Sequence, residues 1–519
     1  ELLRGERFVD LYAVVRQGMR ISKESYSIKK LEAFYWSAER NKNEDVADAM
    51  ASVIAYERWL VERDDVTLGQ IEAYNHDDVR STHDLHAWLE QRRAELEEAH
   101  GPQPRPHEAP PEPDKPKAPA ELAEIDLADG LHAAGHPLLA DLVQWHRREA
   151  RPGWWEFFRL RDLEEDDLVD DGTALGPLSA PTLAGKEKRS RLWRYTFDPQ
   201  DTRVSVGKPV VDVRDGEPAG TVVELDPVGG SVVVKRQAEP LQSRGFGPPG
   251  PIGDEVLRAS IASAGEDLLA GRESLAYALL VRRVPADTGI HPGETAGEAV
   301  VRVGRTLDGT VLAVQGPPGS GKTYTGAEMV RALLDDGKTV GVTATSHAVI
   351  GQLLKRIGRP AMQKCDEEQH CGDDLVVRAA DNAEVVAGLA HGSVRLVGGT
   401  AWLWAREDMT EAVDVLVVDE AGQFSLANAV AVARGARSIV LLGDPQQLAQ
   451  PSQAQHPGGA GVSALEHLLD GHDTIPPDRG IFLDMSRRMH PQITAFVSDL
   501  AYDGRLGSQP GRERQAVLS

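Results

Sequence analysis

The sequence predicts an α/β protein whose larger part is a doubly wound parallel sheet, and three observations predict it. From about residue 304 onward, the runs "TVLAVQG", "KTVGVTA", "SVRLVGG", "DVLVVDE" and "SIVLLGD" alternate with helical stretches. Near-continuous Val, Leu and Ile runs are what strands covered on both faces require. "GPPGSGKT", Gly316 to Thr323, directly follows the first of these runs and opens a helix. Two later runs end in acidic residues, Asp419-Glu420 and Asp444, at the carboxyl end of strands, where open α/β sheets bind their ligands.

The earlier elements follow in order. Within 1–99, "TLGQIEAYNHDDVRSTHDLHAWLEQRRAELEEA" predicts one long helix, with Ile71, Val79, Leu85 and Leu89 on its apolar stripe. Residues 100–122 are proline-dense, which favours an extended spacer between domains. Residues 123–185 read as helical. Their "GWWEFF", 153–158, is read as core packing, with a base-stacking platform as the alternative. Over 186–240 short alternating runs such as "LWRYTF" and "SVVVKR" with turn signals predict a small β-barrel, and 241–303 predicts helices. Residues 304–519 form the α/β domain.

A chain of 519 residues is too long for one core, given roughly 100–200 residues per domain. No apolar run approaches the ~18 residues of a membrane span, and Cys365 and Cys371 are the only cysteines, so a soluble protein of the reducing cytoplasm is expected. "CDEEQHC" lacks the paired spacing of a structural zinc site and is read as chance proximity. The formal charge of −24 excludes a protein that coats nucleic acid by bulk attraction, so any such contact is local. Both ends read as cut, since "ELLRGERF" begins without Met and "GRERQAVLS" supplies no closing element.

Glycines 316, 319 and 321 permit a tight turn that aims backbone N–H groups at phosphate oxygens, and the helix after it adds its positive end. Nucleotide contacts are assigned to Gly316, Pro317, Pro318, Gly319, Ser320, Gly321, Lys322, Thr323 and Tyr324. Lys322 reaches the β and γ phosphates of ATP, and Thr323 with Asp419 holds Mg2+. Glu420 is the candidate base for the attacking water. Gln447 is expected near the γ phosphate, and Arg488 is expected to supply charge to the transferring phosphoryl group.

In this order, "GPPGSGKT", "VVDEAGQ", "GDPQQL" and "RRMHP" resemble the motifs of superfamily one helicases. The resemblance is to the branch that includes the nonsense-mediated decay helicase and the Dna-two-type nuclease–helicases, and it runs over about 311–506. It implies a RecA-like domain, with the small β-barrel and a helical stalk inserted as an accessory. The barrel is expected either to guide the strand or simply to pack. "GVTATSHAVIGQLLKRI" and "VGGTAW" stand where that family contacts the nucleic-acid backbone, which assigns such contacts to Thr345, Ser346 and Thr400. Three departures stand out. No upstream adenine-reading Gln is evident, Ser486 and Arg487 replace the usual Gln and Tyr, and the second RecA-like domain is expected outside this sequence.

The amino-terminal "FVDLYAVVRQGMRISKESYSIKKLEAFY" and "EAYNHDDVRSTHDLHAWL" resemble the later half of RecB-like, RNase H-fold nucleases. There the resemblance implies that Asp78 binds a divalent metal and Tyr74, four residues earlier on one helix face, orients water. A solvated helix face is the alternative for Asp78, and Asp10, at an expected strand end, is read as structural. The implied activity is Mg-ATP hydrolysis that drives movement along single-stranded DNA or RNA, fused to a nuclease. The alternatives are an NTPase switch that does not unwind, or a binding module with an inactive nuclease.

Overall fold

The computed structural model describes residues 9–23, 26–36, 49–103, 117–163, 165–169, 171–187, 190–447 and 451–515. It divides into two units, Glu1–Lys117 and Ala118–Ser519.

The described part of the first unit is helical, with helices Leu11–Gly18, Ile28–Tyr35, Ala49–Glu62 and Asp65–His100. The long predicted helix is present, and the Asp64 carboxylate caps it by accepting from the N–H groups of Val66 and Thr67. It buries Thr67, Ile71, Ser81 and Leu85, whereas Val79 is exposed. At 3.6 residues per turn Val79 lies about 80° round the helix from Ile71, off the packed face. Asp10 is not at a strand end; its side chain accepts from the Tyr12 N–H and caps the first helix.

The second unit is organised by an eight-stranded sheet. Its strands are β7 Val311–Gln315, β8 Val340–Thr343, β9 Ala361–Lys364, β10 Val376–Ala379, β11 Leu396–Gly398, β12 Val413–Val418, β13 Ala436–Gly443 and β14 Gly480–Phe482. The order is β10-β9-β11-β8-β12-β13-β7-β14, and every neighbouring pair is parallel. The expected doubly wound sheet is therefore present, with three strands more than the apolar runs reveal. Those three, "AMQK", "VVRA" and "GIF", lie at the two margins of the sheet, where less of each strand must be apolar.

Alternate residues of a strand point to opposite faces, and both faces are covered. Leu312, Val314, Val340, Val342, Val440 and Leu442 pack against Ala299, Met329, Leu333 and Leu353. Val311, Ala313, Leu416, Val418, Ile439 and Leu441 share the other core with Leu131, Leu139, Leu142, Leu257, Ile261 and Leu279. Residues of the passages expected as a helical region and a stalk thus close one face of the sheet, and Ala299, Val300 and Val303 from the end of the stalk passage pack on the other. Their apolar residues are consumed there and are not left for a projecting arm.

Between those passages lies an antiparallel sheet of β1 Thr182–Glu187, β2 Ser190–Thr196, β3 Pro209–Asp212, β4 Pro218–Asp226, β5 Ser231–Arg236 and β6 Phe246–Gly247. It has its own core of Tyr195, Val222, Val232, Val234 and Phe246. Its ends, Thr182 and Gly247, fall outside the expected 186–240, because the first strand, "TLAGKE", carries no apolar alternation and the last has two residues.

"GWWEFF" is not core. The helix Trp145–Asp162 that carries it buries Trp145, His146 and Leu160, while Trp154 and Phe158 are 42% exposed and Trp155 68%. Among the described residues no helix is long and apolar enough to cross a membrane. No group of three or more His, Cys, Asp or Glu side chains gathers there in a metal-binding arrangement.

Candidate active site

The turn between β7 and the helix Lys322–Asp335 is shaped by glycine. Gly319 and Gly321 sit at φ +77° and +94°, a region that side chains avoid. A Cβ on Gly316 would lie 2.3 Å from Lys322 Cγ, and one on Gly319 would lie 2.4 Å from Arg488 Cβ. Gly321 caps the helix with no side chain, which leaves the first-turn N–H groups without an intrahelical acceptor. The Ser320 hydroxyl is buried with no partner, and Lys322 Nζ donates to the Gly316 carbonyl at 2.7 Å. A cradle of close-packed glycines, orphaned donors and a lysine fits a phosphate chain.

The acidic groups arrive on adjacent strands. β12 pairs with β8 on one side and β13 on the other, which brings the residues after Val418 beside those after Gly443. The backbone approaches so closely that a Cβ on Gly443 would lie 2.5 Å from the Gly422 nitrogen, and the Ala421 N–H donates to the Leu442 carbonyl at 2.7 Å. Asp419 is 3% exposed. Burial, and next the neighbouring Glu420 carboxylate, push its pKa up to about 6, against the Lys322 charge that favours ionisation. A buried carboxylate of this kind, with the Thr323 hydroxyl, is a suitable donor set for a hard divalent cation. Glu420 has φ +55°, a strained conformation for a residue with a side chain, and lines the open cavity.

The third strand end is fixed by a buried network. Asp444 accepts from the Tyr502 hydroxyl at 2.7 Å and from Gln447 Nε2 at 3.0 Å through one oxygen, and from the Gln446 N–H at 3.3 Å through the other. Burial, and then Asp444, raise the Tyr502 pKa, so the phenol stays a donor. The segment after β14 folds directly over the phosphate turn. Ser486 Oγ donates to the Pro318 carbonyl at 3.2 Å, and the Arg487 N–H donates to that of Gly319 at 2.9 Å.

The result is one cavity of about 820 Å³. The assigned Pro317, Pro318, Gly319, Gly321, Lys322, Thr323, Tyr324, Glu420, Gln447 and Arg488 line it, joined by Gln352, Arg356 and Arg487. Gly316 and Ser320 support it from within the turn, and Asp419 lies buried behind Glu420. Gln352 and Arg356 did not stand out in the sequence, although their spacing of four on the helix His347–Ile357 places them on one face. Among the described residues, none of Lys322, Arg356, Arg487 and Arg488 forms an ion pair with a carboxylate. In a chain of charge −24, four cations converge on one cavity, with Glu420 the acidic side chain lining it beside them.

The residues assigned to the nucleic-acid backbone lie elsewhere, at the carboxyl ends of β8 and β11. Thr345 and Ser346 are exposed, and Ser346 also caps the helix His347–Ile357. Thr400 stands at a helix N-cap with its side chain making no capping bond. It lines a small cavity of about 210 Å³ with His347, Lys364 and Trp402, so the topology brings these two segments together. In the first unit Tyr74 and Asp78 are half-buried on one face of Asp65–His100, with Lys29 Nζ 5.5 Å from the Tyr74 ring centroid.

A family model described as an AAA domain matches residues 298–458, and one described as the RNase_H superfamily matches residues 1–90. The DNA replication ATP-dependent helicase/nuclease DNA2 of Mus musculus is 26% identical over 238 residues, covering 43% of this chain and 22% of that protein. The DNA polymerase alpha-associated DNA helicase A of Schizosaccharomyces pombe is 22% identical over 248 residues, 37% of this chain and 36% of that protein. The similarity thus spans only a fifth to a third of these relatives' lengths. An Arterivirus nonstructural protein 10 helicase solved with DNA covers 59% of this chain and 55% of its own, at 14% identity and a TM-score of 0.32, a partial likeness only. The chain is thus similar to the RNase_H superfamily over residues 1–90 and to an AAA domain over residues 298–458.

Proposed function

We propose that this chain hydrolyses Mg-ATP to move along nucleic acid, and that its first unit is part of an attached nuclease. The observation that carries the reading is the convergence of Lys322, Arg356, Arg487 and Arg488, none of them ion-paired to a carboxylate among the described residues, on one cavity that Glu420 and Gln447 also line. That distribution of charge matches a polyphosphate with an attacking water beyond its end.

The roles follow from position. Lys322 and the first-turn N–H groups hold the phosphate chain, and Arg488, packed against Gly319, answers charge that develops during transfer. Glu420 takes the proton of the attacking water, and Gln447, tied to Asp444, orients that water. Asp419 and Thr323 would hold Mg2+, which neutralises phosphate oxygens when bound. Thr345, Ser346 and Thr400 contact single-stranded DNA or RNA through its backbone, which carries no sequence information. In the first unit Asp78 is the proposed ligand of a divalent metal.

The test is Lys322→Ala. It is expected to abolish nucleic-acid-stimulated ATPase and strand displacement while sparing any Mn2+- or Mg2+-dependent cleavage of single strands, which Asp78→Ala removes. ATPase retained within ten-fold of wild type in Lys322→Ala would overturn the site. Stimulated ATPase with no displacement by the wild-type protein would replace the motor with a switch.

A further inference from the structure

We propose that Trp402 and the exposed aromatics of "GWWEFF" form one track on which bases of a single-stranded nucleic acid stack. The proposal rests on the nucleic-acid reading above and adds a hold on the bases to the backbone contacts of Thr345, Ser346 and Thr400.

The track starts at the backbone segment. Trp402 stands two residues after Thr400, lines the same small cavity as Thr400, His347 and Lys364, and is 38% exposed. Its indole N–H donates to the Gly253 carbonyl at 2.7 Å, which ties the ring to the turn 250–253. That turn lies on the helix Trp145–Asp162. A Cβ on Gly153 would lie 2.8 Å from Pro251 Cγ, and one on Gly250 would lie 3.1 Å from Trp154 Cζ3. Trp154 stacks on Phe158 with ring centroids 5.9 Å apart, and Trp155 and Ile252 are exposed as well. Apolar surface thus continues from Trp402 across the turn to the helix, and a patch of this kind marks a binding face.

Charge favours nucleic acid as the occupant. Arg151, four residues before Trp155 and so on the same helix face, makes no ion pair with a carboxylate among the described residues. The central carbon of Arg161 lies 4.8 Å from the Phe158 ring centroid. The carboxylates of this stretch, Glu156 and Asp162, are each paired with an arginine, Arg159 and Arg161. Cations beside uncovered rings are what single-strand grooves present, because phosphates need charge and every base has a π face.

Binding to the whole chain can be measured by fluorescence anisotropy, without divalent metal so that no strand is cleaved. The probes are a labelled oligothymidylate of roughly 16 nucleotides and an abasic strand of equal length. Wild type is expected to prefer oligothymidylate by roughly five-fold or more. Trp155→Ala and Trp402→Ala are each expected to weaken oligothymidylate by a similar factor and to leave the abasic strand unchanged, whereas Trp155→Phe retains the preference. Equal wild-type affinity for the two strands, equal weakening of both by the variants, or a loss confined to Trp402→Ala would overturn the track while leaving the backbone site intact. Unchanged oligothymidylate binding in Trp155→Ala, with wild type dimeric and the variant monomeric in sedimentation, would overturn it in favour of a contact between copies of the chain. Failure of wild type to bind either strand would overturn the nucleic-acid reading, and the track with it.

Discussion

Glu420 is the residue at which local strain and chemistry meet. Its backbone occupies the left-handed region at φ +55°, which costs on the order of 1 kcal/mol or more for a residue with a Cβ. The bend stands beside the close passage of 421–422 against 443–444, and the Glu420 side chain lines the cavity while Asp419 is buried. The two neighbouring acids therefore have different environments, one desolvated and one open to the cavity. Glu420→Gln keeps the shape and removes the proposed base, so steady-state kinetics should show kcat lowered by roughly 10²–10⁴ with the KM for ATP nearly unchanged. A changed KM with unaltered kcat would assign Glu420 to binding. The "DE" pair and a role for each member were readable in the sequence, but the burial of one and the exposure of the other were not, since they depend on strands distant in the chain.

Individual elements are held to the sheet by buried polar groups as well as by apolar faces. The helix Ala464–Leu469 begins with a capping box, Ser463 with Glu466, and places His467 against the Leu280 carbonyl, to which Nε2 donates at 3.1 Å. Burial, then the nearby Arg282 charge, lower the His467 pKa to about 4. Because the folded value lies below the unfolded one of about 6.5, His467 contributes stability that is present above pH 6.5 and lost as pH falls toward 4. Thermal unfolding of wild type should therefore lose more Tm between pH 7 and 4.5 than His467→Gln does. Identical pH slopes would place the acid sensitivity elsewhere.

The helix Trp145–Asp162 is clamped in the same manner. Glu149 accepts from Ser452 Oγ, the N–H groups of Gln453 and Ala454, and His456 Nε2 at 2.5–3.1 Å. The His456 ring stacks on Trp145 with centroids 4.8 Å apart. Nothing in "RREARPGWWEFF" or "PSQAQH" announced that pairing, because the partners are about 300 positions apart. The same helix shows why "GWWEFF" misleads. Hydrophobicity identifies the aromatics as candidates for burial, but the helix is anchored through Trp145 and Leu160, which leaves Trp154 and Trp155 turned outward.

At the scale of the molecule, the second unit is a single compact body, although its family-matched stretch is only 298–458. Leu131, Leu139, Leu142, Leu257, Ile261 and Leu279 cover one face of the parallel sheet. Burying a side chain of this size is worth roughly 1.5–3 kcal/mol, so stripping six of them costs about as much as the whole stability of an ordinary domain. A fragment of residues 118–519 is expected to unfold in one sharp transition and to bind fluorescent nucleotide. One of residues 298–519 is expected to aggregate or to melt without cooperativity in calorimetry. A stable, nucleotide-binding 298–519 fragment would show that the early helices are an accessory after all.

What the sequence determined by itself was whatever is written in adjacent residues. It gave the parallel α/β class from apolar runs, the phosphate turn from its glycines, and the acidic strand ends from their position after those runs. Only the tertiary structure decided which helices complete the core and that Arg356 and Arg487 share one cavity with Lys322 and Tyr324. It also decided which of two neighbouring carboxylates is desolvated. The physical reason is common to all three. Periodicity and turn chemistry act over a few residues, whereas burial and the convergence of charges depend on strand order, which brings together residues more than a hundred positions apart.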